Sequence, residues 1–145
     1  MSSRGNDPAA LALRPTGVTA LCVFFAFGVC ACTLAALLLL FPGTAFDAVW
    51  RVNPRGHEGF VRMGTWALLL LAAVAVACAL AAIGLWRNTV WGHRVGLGIL
   101  AVNLVGDSVN ALAGDARSLI GVPIALALIV YLGRQLRILA ANGGA

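Results

Sequence analysis

One acid and two amides stand where membrane chemistry would need them. Asn103, Asp107 and Asn110 follow one another at steps of four and three, which on an α-helix gathers them within about 60° of arc. A carboxylate held among apolar residues can carry a proton or bind a cation, with neighbouring amides orienting the ligand. The structural counterpart pairs Asp107 with Arg62 or Arg117 and lets the Asn side chains hydrogen-bond between helices. A single acid is thin support for transport, so the structural reading is preferred. Gly92, Gly96 and Gly114 fall on the same stripe, while Val95, Ile99, Val102 and Val105 make the rest of that segment apolar. A charge facing hydrocarbon costs about 3 kcal/mol or more, so the stripe must face the bundle interior, a partner chain or water.

Little else in the chain could do chemistry. His57 and Glu58 share one loop and His93 lies in another, across the membrane in the topology below. No hydroxyl has a base beside it, and there is no paired-carboxylate, H-E-x-x-H or phosphate-loop pattern. Cys22, Cys30, Cys32 and Cys78 all sit in apolar blocks without metal-ligand spacing. They read as small space-fillers, with a contact of Cys22 or Cys32 to Cys78 as the alternative. No metal, no cofactor and no enzymatic activity are expected.

The elements that must position these residues are membrane spans. Apolar residues make up 61% of the 145 and charged ones only 10%, with a mean hydropathy of +0.96. Soluble domains carry about a quarter charged residues. The apolar residues form four blocks, predicting spans at about 16–41, 65–86, 95–113 and 118–132. The expected fold is all-α, an integral membrane four-helix bundle forming one domain over 16–140. A disordered tail is expected over 1–15 and a short tail over 141–145. The first block outruns a signal-peptide core, and the sequence after Cys32 stays apolar, so it reads as a retained span. Pro42-Gly43 ends it.

The loop 42–64 carries Thr44-x-x-Asp47, a capping-box pattern, followed by Phe46, Val49 and Trp50 at helical spacing. It reads either as a one-to-two-turn interfacial helix ending at Asn53-Pro54 or as an ordinary loop. In the second span, Ala73, Ala77 and Ala81 repeat every four residues, which permits close helix approach. The fourth span is short, with Pro123 near its start and a tail that can continue as helix past Tyr131.

The net charge of +5 comes from ten Arg scattered through tails and loops. No run suits a nucleic acid, so none is expected as a partner. Arg at span ends instead anchors helices and sets orientation. With both termini inside, six Arg lie on the cytoplasmic side and four outside, and the middle loop Arg87–Arg94 favours this N-in, C-in arrangement.

Several short stretches stand out: Trp50-Arg51-Val52-Asn53-Pro54, Gly84-Leu85-Trp86, Trp91-Gly92, Asn103-Leu104-Val105-Gly106-Asp107, Asn110 and Leu119-Ile120-Gly121-Val122-Pro123-Ile124. In these the chain resembles a group of small four-span bacterial inner-membrane proteins without an assigned activity. The resemblance covers about residues 40–135 and implies a bacterial inner membrane. The small multidrug exporters also have four spans and one critical acid, but theirs lies in the first helix, where this chain has none. The preferred reading is a non-enzymatic protein that acts by helix packing in the bilayer, with itself or with another membrane protein. A proton- or cation-coupled transporter using Asp107 stands second, and a membrane enzyme third.

Overall fold

Runs of Leu, Ala and Val with no charge have one stable state in hydrocarbon, a helix that satisfies its own backbone hydrogen bonds. The computed structural model describes residues 16–112, 114 and 118–142, apart from the side chains of Phe46 and Asn142. The expected tail 1–15 and Arg117 lie outside them. Helix α1 (Thr16–Leu40) is followed by a 3-10 helix (Ala45–Arg51), then α2 (Pro54–Met63), α3 (Thr65–Trp86), α4 (Val90–Leu112) and α5 (Ser118–Asn142). α1, α3, α4 and α5 are each long and apolar enough to cross a membrane. The protein is a four-helix membrane bundle.

Several boundaries differ from those expected. α4 begins at Val90 rather than 95, because Thr89 caps it. The Thr89 hydroxyl accepts from the Gly92 amide at 3.3 Å and donates to the Gly84 carbonyl at 3.0 Å. The turn between α3 and α4 is therefore only residues 87–89, with Asn88 in the left-handed region at φ 51°. α5 runs ten residues past the expected end, through Asn142, as its Leu- and Arg-rich tail permits.

The 42–64 segment holds two short helices instead of one. The expected capping box does not form, for Thr44 makes no side-chain cap. Asp47 instead accepts from the Gly43 amide at 2.6 Å. Asn53 and Pro54, read as a terminator, start α2: the Asn53 side chain accepts from the Gly56 amide at 2.9 Å, and Pro54 takes the first helical position, where a missing N–H costs nothing. Trp50 stacks on His57 with centroids 4.7 Å apart, tying the 3-10 helix to α2.

Packing follows an uneven plan. α1 lies against α3, α3 against α4 and α4 against α5. Val18, Leu21, Cys22, Phe25, Cys78, Ala81, Leu85, Leu100 and Leu132 form one buried cluster. It lies towards the 87–89 turn, where all four long helices meet. There an added Cβ on Gly17 would strike the Tyr131 ring, and one on Gly96 would come within 3.1 Å of Leu132 and 3.3 Å of Phe25.

Candidate functional site

One close contact in the bundle is backbone on backbone. Gly84 of α3 and Gly92 of α4 touch so closely that a Cβ on either would overlap the other's main chain. Neither glycine presents a side chain, so the helices approach at this point as the small-residue rule allows. Both are buried, and so is Gly96. Of the three stripe glycines Gly92 forms the joint between α3 and α4, while Gly96 packs against Leu132 of α5 and Phe25 of α1. Gly114 does not: it lies past the end of α4 at φ 90°, with open space around it, because the helix stops at Leu112.

From that joint the two helices part. Five turns take about 18 residues, so Trp66 lies on the same line of α3 as Gly84, and Asn110 on the same line of α4 as Gly92. In an antiparallel pair that stayed together, Trp66 would oppose Asn110. Both are exposed, Trp66 at 73%. The change is graded along each helix. On α3 the residues of this face run from buried Gly84 through half-buried Ala77 to exposed Ala73 and Leu70. On α4 they run from buried Gly92 and Gly96 through half-buried Ile99 to exposed Asn103 and Gly106. Within each helical pair packing persists: Leu38, Leu71 and Ala67 stay buried in the α1–α3 pair, and Ala125 and Ser118 in α5. A V-shaped cleft therefore opens between the α1–α3 and α4–α5 pairs, towards the 42–64 end.

The expected polar stripe divides across this geometry. Asn103 and Asn110 face the cleft, exposed. Asp107 is half-buried and turned towards α5, its carboxylate lying over Gly121, where a Cβ would collide with it. Only a glycine leaves room there for the acid between α4 and α5. Arg62 is exposed on α2, and α2 packs on α3 and the 3-10 helix. No ion pair joins Arg62 to Asp107 among the described residues.

One residue was missed by sequence reasoning. His93, expected in a loop, sits in the first turn of α4 with 0% of its surface exposed. Its Nδ1 lies 2.8 Å from the Thr89 carbonyl. A carbonyl only accepts, so Nδ1 is the donor in this contact. Nε2 is buried and has no hydrogen-bond partner. The readable signal was Thr89, an N-cap residue type just ahead of Val90.

No disulfide joins the four cysteines, and Cys22 and Cys78 are buried. Cys78 lies against Gly28 of α1, where its Sγ would be 3.2 Å from an added Cβ. No cluster of three or more His, Cys, Asp or Glu suited to a metal occurs among the described residues.

Fold and site together define a multi-pass membrane protein with an open polar cleft between two helical pairs. No family model, curated protein or solved structure matches the chain.

Proposed function

We propose that this is a non-enzymatic protein of the bacterial inner membrane that works by packing a further helix, from a second copy or from another membrane protein, into the cleft between α3 and α4. The observation that carries this is the exposure of Asn103 and Asn110 within a span. In lipid an amide has no water to bond, so its donors and acceptors are best satisfied by a neighbouring helix. Gly106 lies between the two amides, and a Cβ added there would meet nothing within 4 Å, leaving room for a backbone to approach. Ala73 and Leu70 line the opposite wall with apolar surface. The proposed orientation keeps both termini and the 87–89 turn cytoplasmic, in line with the Arg bias.

Cross-linking in native membranes tests the cleft. In a background without the four native cysteines, Ala73→Cys and Asn103→Cys should each capture a second polypeptide, giving a band larger than the monomer. Asn103→Leu with Asn110→Leu should weaken that association. If Trp66→Cys and Asn110→Cys, combined in one chain, instead form a disulfide within the monomer in high yield, the cleft is closed in the membrane and the reading fails. Orientation is checked separately: an impermeant thiol reagent on intact cells should label Gly59→Cys and spare Ser3→Cys.

A further inference from the structure

A second surface feature lies at the other end of the molecule, on the outside of the bundle. α1 and α3 leave between them an open groove of roughly 510 Å³, lined by Cys22, Val23, Ala26, Ala82, Ile83 and Trp86, with Arg87 at its end. That volume falls within the about 300–1,000 Å³ typical of small-ligand sites. The walls are apolar, and Ala26 of α1 and Ala82 of α3 keep them small. Along α3 it runs only from Ala82 to Arg87, about 7 Å of helix. It therefore sits at one membrane boundary, where Trp86 supplies the amphipathic ring usual at that depth.

Among the described residues, the charge around this end has one sign. Arg87, Arg94, Arg134 and Arg137 lie at the ends of α3, α4 and α5 nearest the 87–89 turn. Each described acid lies elsewhere: Asp47 and Glu58 in the 42–64 segment, and Asp107 in the far half of α4. No ion pair to Arg87 forms among the described residues. An apolar groove that opens at the headgroup boundary beside an uncompensated guanidinium matches an amphiphile with an anionic head.

We propose that this groove is a binding site for an anionic phospholipid, with the upper part of one acyl chain between Ala26 and Ala82 and the phosphate on Arg87. Arg suits that role because its planar fork can give two hydrogen bonds to phosphate oxygens. The neighbouring arginines raise the local potential, and Arg87 alone closes the groove. The site is separate from the cleft between α3 and α4, so either assignment can fail without the other.

Native mass spectrometry of the full chain, released from mild detergent with phosphatidylglycerol or phosphatidylcholine of equal chain length, tests the site. The unaltered protein should retain phosphatidylglycerol in preference, and Arg87→Gln should reduce that preference about fivefold, the weight of one basic residue at an anionic surface. Arg137→Gln removes the same charge from the same end away from the groove and should change it little. Ala26→Phe fills the groove and should lower retention of phosphatidylglycerol while helicity and thermal unfolding stay unchanged. Equal loss from Arg87→Gln and Arg137→Gln would reduce the effect to diffuse charge and overturn the site. So would displacement of the lipid by millimolar glycerol phosphate, which carries the head without the chain, or full retention by a folded Ala26→Phe protein.

Discussion

Replacing Gly92 with Ala tests the joint on which the bundle turns. The new Cβ would fall on the Gly84 main chain and lie 2.7 Å from the Leu85 nitrogen. Non-bonded carbon contacts settle at about 3.5–4.0 Å, so α3 and α4 must part by about 1 Å here. A gap of that size forfeits roughly a quarter to a half of the dispersion energy of each contact nearby. Overpacked sites of this kind cost about 1–3 kcal/mol. Parting the helices also stretches the bonds that Thr89 makes to the Gly84 carbonyl, at 2.9 Å from its amide and 3.0 Å from its hydroxyl, each worth about 1 kcal/mol net. Against this, Ala is favoured over Gly in a helix by about 1 kcal/mol. The expected result is a net loss of about 2–4 kcal/mol, from the overpacking and hydrogen-bond terms less the propensity gain. Gly106→Ala is the control: it lies in the same helix with nothing within 4 Å, so it should be neutral or gain up to about 1 kcal/mol. Both are measured by titrating the protein in mixed micelles with a denaturing detergent and following helicity. A Gly92→Ala protein as stable as the Gly106→Ala control would refute the close joint.

Two further outcomes follow from the site. His93→Leu nearly keeps the volume and removes the unpartnered Nε2, while the Thr89 carbonyl still accepts from the residue-93 amide, at 3.2 Å in the native chain. Thermal unfolding should place it within about 1 kcal/mol of the native protein, whereas His93→Ala should lose about 2–4 kcal/mol to a cavity; equal losses would mean that Nε2 has a buried partner. Asp107→Asn preserves shape and hydrogen-bonding capacity, so its stability should change by about 0.6 kcal/mol or less. Proton flux into proteoliposomes should be the same for both proteins, and a flux that vanishes with Asp107→Asn would favour a transporter over the packing reading.

The spans were legible from composition because hydropathy is a local property. A run such as Thr65–Trp86 needs no knowledge of its neighbours to be helical in lipid, and its limits matched those read from the sequence. The stripe of Asn103, Asp107 and Asn110 was legible for the same reason, since helical periodicity alone sets which residues share a face. Which neighbour that face meets is another matter. α3 is apolar on every side, so nothing in its pattern announces that Gly84 would touch Gly92 or that Trp66 would stand away from Asn110. The division of the stripe, with two amides in a cleft and the acid over Gly121, depends on pairings between residues far apart in the chain. Burial of His93 likewise required both the Thr89 cap, which moved the helix start, and packing against the other helices at that end. Local composition decides what must lie in the membrane. The small-residue contacts that let backbones meet decide where the bundle closes and where it stays open, and these form only when separate helices come together.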